Sequence, residues 1–307
     1  MADLLSAYST LLAGERTYEV RHRTTYTYST PVTDAYSITN LLPRDTPCQR
    51  VLSAQVVSEP EADELDERLD VFGNRVVQLG LHRPHDRFEV VGRSEVTVDP
   101  VRIPPPGPPW EEVVAACRTV RGADAVDVGA FLARTPAASA SASGEELDRM
   151  FDDDFLPTRP LVDVASAVCT RIFSTFSFDP TSTDVSTPLD DVVANRRGVC
   201  QDFAHLALAV LRRRGLAARY VSGYIETDPP PGEPKSIGAD ASHAWCSVWV
   251  PGLGWVDLDP TNDQLPVTRH VTVAWGRDYR DVAPVRGVVI GPSAAQVLDV
   301  GVDVHRI

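Results

Sequence analysis

The chain has 307 residues, 43% of them hydrophobic and 23% charged, a globular composition that excludes fibrous, collagen-like and wholly disordered chains. Its 29 basic against 43 acidic side chains leave a formal charge of −14, which argues against a nucleic-acid partner held through its phosphates. No apolar run reaches the roughly 18 residues that span a bilayer, the opening Met1-Ala-Asp-Leu-Leu-Ser lacks a secretory pattern, and five scattered cysteines, an odd number, suit a reducing compartment, so a cytoplasmic protein with no membrane partner is expected.

In chain order, residues 17–101 alternate apolar and polar positions in short runs (18–28, 51–57, 75–81 and 88–98) divided by turn residues, the period of half-buried strands. Gly73-Asn74, set between Asp70-Val-Phe and Arg75-Val-Val, suits the positive φ angles of a tight hairpin. A β-sandwich over residues 1–103 is the expected product. Pro104-Pro-Pro-Gly-Pro-Pro109 forbids helix and central strand alike and marks a stiff connector. Beyond it 110–120, 145–155 and 161–173 read as helices, with a small-residue loop at 135–144 and Asp152-Asp-Asp154 as a solvated helix edge. Residues 104–159 are therefore read as linker and helical segment, and 160–307 as a core that keeps the C-terminal strands.

The chemistry gathers after residue 196. Val199, Phe203, Leu206, Ala207, Val210 and Leu211 recur at three and four, Arg212 to Arg214 sit at the carbonyl end and Gly215 closes a helix. Cys200 falls in its first turn, where unpaired N–H groups and the positive end of the dipole favour a thiolate, with Gly198 bending the chain into place. Residues 219–225 read as a strand, 226–241 as a proline- and glycine-rich loop flanking a cleft, and 242–250 with 255–261 as a hairpin turned by Pro251-Gly-Leu-Gly254. His243 opens one strand of that hairpin and Asp259 closes the other. A thiol, an imidazole to take its proton and a carboxylate to orient the imidazole thus follow in chain order. A four-residue turn would set Asp259 opposite Cys246 and on the wrong face, whereas a one-residue slip restores the face shared with His243; both registers stay open.

Neighbouring candidates rank lower. His205 lies roughly 140° round the helix from Cys200 and reads as a packing or hydrogen-bonding residue, and Asp202 reads as a cap. Cys200, His205, His243 and Cys246 make a set of soft ligands, yet Ala244, Cys246, Val248 and Val250 share an apolar face that turns Cys246 away from His243. With no Cys-x-x-Cys knuckle, no metal is expected, and Cys48, Cys117 and Cys169 are read as structural. Trp245, Trp249 and Trp255 fit equally as core aromatics or as substrate platforms.

Gly198-Val-Cys-Gln-Asp-Phe-Ala-His205, Ala218-Arg-Tyr-Val-Ser-Gly-Tyr224, His243-Ala-Trp and Gly254-Trp-Val-Asp-Leu-Asp-Pro-Thr-Asn262 closely resemble, in order, the transglutaminase-like superfamily in its bacterial and archaeal branch. Tyr26-Thr-Tyr-Ser-Thr-Pro-Val32, Leu42-Pro-Arg44 and Phe72-Gly-Asn74 resemble that branch's N-terminal sandwich, and Gly276-Arg-Asp-Tyr-Arg-Asp-Val-Ala-Pro-Val-Arg-Gly287 the segment after its core. The resemblance implies an α+β fold, an N-terminal β-sandwich followed by a papain-like transglutaminase core with the cysteine helix on an antiparallel sheet. It implies Cys200 as nucleophile, His243 as general base and acid and Asp259 as orienting carboxylate, with Phe178, Gln201, Tyr224 and Trp245 as substrate-binding candidates. Relatives often carry a tyrosine where Phe178 stands, so a site needing that hydroxyl would fail here and the oxyanion would rest on backbone N–H groups such as that of Cys200.

The expected reaction is acyl transfer on a peptide or carboxamide bond of a peptide or protein substrate, with no cofactor and an open oligomeric state. Hydrolysis is preferred to transfer onto an amine, because the stretch from Gly223 to His243 is polar and proline-rich rather than aromatic. The alternatives are protein-glutamine transamidation and a catalytically silent binding module of the same fold.

Overall fold

The computed structural model describes residues 14–100, 103–227, 242–266, 268–292 and 295–307. Its first strands are β1 (Arg16–Val32), β2 (Asp34–Thr39), β3 (Gln49–Glu59), β4 (Glu64–Leu69), β5 (Arg75–Leu81) and β6 (His85–Val98). Helices α1 (Trp110–Thr119), α2 (Ala123–Leu132), α3 (Gly144–Phe151) and α4 (Leu161–Thr175) follow, then the short β7 (Ser177–Phe178), α5 (Leu189–Asn195), the short β8 (Arg197–Gly198) and α6 (Cys200–Arg213). The chain ends through β9 (Ala218–Ile225), β10 (Ser242–Val250), β11 (Gly254–Leu258), β12 (His270–Gly276), the single turn α7 (Tyr279–Val282), β13 (Val285–Ile290) and β14 (Gln296–Arg306).

Two antiparallel sheets, β14-β1-β6-β3 and β13-β2-β5-β4, form the sandwich. The C-terminal strands, expected with the core, belong here instead: β14 pairs with β1 and β13 with β2. Each supplies the fourth strand of its sheet and satisfies a row of backbone groups that would otherwise be an open edge. The hairpin from β4 to β5 turns at Asp70 to Asn74, where Gly73 alone takes positive φ, at 72°. The Asp70 carboxylate accepts the N–H groups of Phe72 and Asn74. Neither β4, exposed along its whole length, nor the helices α2 and α5 carried a periodic signal in the sequence.

A third antiparallel sheet runs β11-β10-β9-β12. Against it lies α6, buried from Asp202 to Arg212 on nearly every side, with α4 packed on α6. The polar residues enclosed on it, Asp202, His205 and Arg212, are each hydrogen-bonded, as buried polar groups have to be. Gly215, at φ 83°, ends it, and the Leu216 N–H closes on the Leu211 carbonyl. The proline connector packs rather than spans, since the Pro106 and Pro108 carbonyls accept the N–H groups of Val162 and Leu161 at the start of α4. Asp154, read as solvated, is buried and paired through two oxygens with Arg171.

One strand joins the two halves. The N-terminal part of β1 gives Tyr18 and Val20 to the large core shared with the helices, while Tyr28 and Val32 enter the core between the sandwich sheets. The open edge of β12 is capped by side-chain amides from the sandwich. Gln49 accepts the Thr272 N–H at 2.8 Å and donates to the Thr272 carbonyl at 2.7 Å. Asn74 does the same for Trp275, at 3.0 and 2.8 Å. Arg44 places its guanidinium 3.2 Å from the Trp275 ring centroid, an approach that suits a cation over an aromatic face. Arg44 and Asn74 stand in the N-terminal motifs quoted above, and their task is this junction.

Asn74 is wholly buried, so Asn74→Ala strands two backbone groups of β12 and should cost about 2 kcal/mol, read as a lower urea midpoint with an unchanged slope. An unaltered midpoint would refute the clasp.

Candidate active site

Cys200 is the first residue of α6, and the chain reaches it through β8, which pairs in parallel with β7. Gly198 is required by closeness rather than by dihedral angle: a Cβ there would lie 2.8 Å from an Asp202 carboxylate oxygen. That carboxylate accepts the Val199 N–H at 2.8 Å and the Thr183 hydroxyl at 2.6 Å, so Asp202 does cap the helix, and burial raises its pKa. His205 is likewise structural. Its Nε2 accepts the Tyr279 N–H at 3.1 Å, and burial pushes it down to about 4, which keeps the ring neutral.

The open question of register has a definite answer. β10 and β11 pair Cys246 with Leu258 and Val250 with Gly254, a three-residue turn that carries Asp259 opposite Trp245, on the face shared with His243. The strand ladder stops there, and Asp259 forms an isolated bridge to Gln264. His243 Nε2 lies 2.8 Å from Asp259 Oδ2. Asn262 Nδ2 also lies 3.4 Å from the same Nε2, and Cys200 adds to the field that favours the charged imidazole.

Asp259 has no exposed surface and collects donors. Oδ1 accepts the N–H groups of Thr261 and Asn262 at 3.0 and 3.2 Å. Oδ2 accepts from His243, from Asn262 Nδ2 at 2.7 Å and from His270 Nε2 at 3.0 Å. Burial alone would raise its pKa, but the hydrogen bonds of His243 and His270 hold it far below the ordinary carboxylate range. For His243 burial opposes the charged ring, yet the hydrogen bonds and charges of Asp259 and Cys200 win and push it up to about 10. For His270 burial wins and the value falls.

His270 and Asn262 were not singled out from sequence as site residues. Asn262 closed a quoted motif, and His270 opens β12 as His243 opens β10. Both of those strands run antiparallel to β9, with His270 opposite Ile225 and His243 opposite Gly223, so both imidazoles reach the same sheet end. Trp245 lies between them, its ring centroid 6.0 Å from that of His243 and 5.2 Å from that of His270. A Cβ on Gly223 would come within 2.5 Å of that indole, so glycine is what admits it. Among the described residues, His243, Asp259 and His270 are the one group of His, Cys, Asp or Glu with ligand-type atoms within 4.8 Å of one another, and their hydrogen bonds account for that approach.

Comparison with known proteins agrees with this architecture. Residues 18–97 match the bacterial transglutaminase-like N-terminal region, and residues 151–260 the transglutaminase-like superfamily core. An uncharacterized protein of Mycobacterium tuberculosis is 40% identical over 311 residues, 97% of this chain and 96% of its own. The chain belongs to the transglutaminase-like superfamily. A Mycobacterium leprae protein, also uncharacterized, is 32% identical over 94% of this chain and 98% of its own. A protein-glutamine gamma-glutamyltransferase of Pseudomonas aeruginosa is 32% identical over 92 residues, 30% of this chain and 14% of that protein. A crystal structure from Cytophaga hutchinsonii, whose description proposes a cysteine protease, superposes with a TM-score of 0.74 over 96% of this chain and 92% of that one at 20% identity, a likeness of fold.

Within this superfamily core the substrate-binding candidates divide. Phe178 is 56% exposed and pairs with Gly198, two residues before Cys200, and Gln201 is half-buried beside the thiol. Tyr224 and Trp245 do not hold as substrate contacts. Tyr224 is buried with its hydroxyl on His22 of the sandwich, and Trp245 has no exposed surface, so neither presents a face to a ligand. Trp249 is core as well, and Trp255 packs its ring edge-on to Phe131. Cys117, Cys169 and Cys246 are buried and Cys48 is half-buried, all free thiols. The flanking loop expected at 226–241 lies outside the described residues from 228 onward. No helix among those described is long and apolar enough to cross a membrane.

The His243 shift has a sign that can be measured. Its folded value, about 10, exceeds its ordinary 6.5, so its contribution to stability is complete below the lower value and is lost as pH rises through the upper one. Asp259 acts in reverse, contributing above its ordinary 3.8 and losing the contribution as pH falls. Urea unfolding between pH 6 and pH 10 should show wild-type stability declining, and Asp259→Asn declining less steeply. Parallel curves would remove Asp259 as the source of the shift.

Proposed function

We propose that the protein is a cysteine-dependent acyl-transfer enzyme acting on a peptide or carboxamide bond of a peptide or protein substrate, with water as the preferred acceptor. The observation that carries this reading is the 2.8 Å hydrogen bond of His243 to the buried Asp259, with the half-buried Cys200 acting on the same imidazole. Cys200 Sγ attacks the carbonyl carbon, the C–N bond breaks, and His243 gives its Nδ1 proton to the departing amine. His243 then takes a proton from water, whose oxygen attacks the thioester, releasing the carboxylic acid and restoring the thiolate. The charge that develops on the carbonyl oxygen is met by the Cys200 N–H, which in the first turn of α6 has no intrahelical acceptor. Phe178 cannot add a hydroxyl to that hole. None of these steps calls for a cofactor, and the scattered, odd set of cysteines favours a cytoplasmic setting.

Water is preferred because the hairpin tryptophans that could wall a cleft against solvent, Trp245 and Trp249, lie in the core. Transamidation is the second reading, favoured by the 92-residue match to a glutamyltransferase. Incubation with a glutamine-containing protein and a fluorescent primary amine, followed by mass spectrometry, separates the two. Cleavage or deamidation should exceed amine incorporation, and the reverse at modest amine concentration would replace the first reading by the second.

Iodoacetamide near neutral pH should modify Cys200 before Cys48, Cys117, Cys169 or Cys246. Cys200→Ala and His243→Ala should abolish turnover with the fold intact. Asp259→Asn should leave a residue of it, since a misdirected imidazole forfeits roughly 100- to 10,000-fold and the effects of the three residues are non-additive. Normal turnover by Cys200→Ala would exclude the mechanism.

A further inference from the structure

Building on the proposed acyl-transfer reading, we propose that His270 is a positioning residue that restrains the basicity of His243 by taking a share of the charge on Asp259 Oδ2. The geometry is specific. His243 Nε2, Asn262 Nδ2 and His270 Nε2 all converge on this one oxygen, at 2.8, 2.7 and 3.0 Å. An ionised carboxylate oxygen only accepts, so His270 has to donate from Nε2 and carries its lone pair on Nδ1. That Nδ1 is buried with no partner among the described residues. A second proton there would place an N–H without an acceptor, and a full charge, 5.8 Å from the His243 ring, which burial makes costly. His270 is therefore a neutral donor: it occupies the carboxylate without discharging it.

The consequence falls on His243. A donor dipole with its positive end on Oδ2 offsets part of the negative charge that stabilises the imidazolium, and that same positive end faces the neighbouring cation. The groups that act on the imidazole are Cys200 from α6 and Asp259 beyond β11, with Asn262 Nδ2 3.4 Å from its Nε2 and the His270 ring of β12 5.8 Å away; Asp257 of β11 acts on His270, and Cys169 of α4 interacts with Asp259. Of these His270 alone is a neutral ring bonded to the orienting carboxylate. An imidazolium that is too basic holds its proton when the leaving amine needs it, so a share taken by His270 favours the acid half of the cycle. Trp245, packed edge-on to His270, fixes the ring in the donating orientation.

The test is a histidine titration of the resting protein. With selective ¹⁵N-histidine labelling, and the His243 signal identified as the one missing from His243→Ala, the His243 midpoint is followed by NMR in wild type, His270→Phe and His270→Gln. Phenylalanine keeps the ring volume and removes the donor, so the midpoint should rise by roughly half to one pH unit. Glutamine restores an N–H donor and should return it towards the wild-type value. A midpoint that does not move, or that falls, in His270→Phe would overturn the proposal. Should His270→Phe fail to fold, a His270→Gln midpoint raised as far as that of a folded His270→Ala would overturn it equally. None of these readings depends on turnover, whereas the acyl-transfer reading stands or falls on Cys200→Ala.

Discussion

A carboxylate with none of its surface in water carries a desolvation cost of several kcal/mol unless it is paired and fully hydrogen-bonded, and Asp259 is such a group. Meeting its demand organises one end of the β11-β10-β9-β12 sheet. The chain just past β11 turns back so that Thr261 and Asn262 can offer their N–H groups, and the opening residues of β10 and β12 include an imidazole each, His243 and His270, aimed at the same oxygen. The hairpin register follows from this. In the alternative pairing Asp259 would be on the opposite face of the sheet, an uncompensated charge in an apolar layer. The arrangement that lets the fold bury the charge is also the one that fixes the His243 ring against Asp259.

The second constraint is the edge of β12, which carries His270. An edge strand in the interior has to find donors and acceptors for its free backbone groups, and here they come from Gln49 and Asn74 of the sandwich. The sandwich therefore completes the sheet on which the site stands. Arg16 and Tyr18 of β1 reinforce the join by meeting Glu226 at the end of β9, and His22 meets Tyr224. The return of β13 and β14 to the sandwich ties the chain end to its beginning, so the two halves share strands as well as an interface.

The proposed chemistry uses little of this apparatus directly: a thiol, an imidazole and a carboxylate. The remainder sets their protonation. Burial without a hydrogen-bonded carboxylate drives His22 and His205 down to about 4, while burial beside Asp259 and Cys200 sends His243 the other way. The same physical cause yields opposite outcomes according to whether an anion is within reach. In this way one chain holds buried imidazoles driven in opposite directions.

Local pattern in the sequence determined the strands of β1, β3, β5 and β6, the helix after Cys200 and its glycine stop, because those signals depend only on neighbours three or four positions away, or on alternation. The motifs that named the superfamily likewise identified Cys200, His243 and Asp259. What sequence alone could not supply was everything set by partners distant in the chain. β4 shows no alternation, for both its faces are in water, and it exists through its pairing with β5. The C-terminal strands read in sequence as part of the core, whereas the edges of β1 and β2 pair with them. Tyr224 and Trp245 stand beside the chemistry in sequence, but tertiary packing turns one towards the sandwich and closes the other between two histidines. His270 carried no more than a strand-opening imidazole as its signal, and only the fold, by bringing β12 alongside β9, gave it a carboxylate to bind.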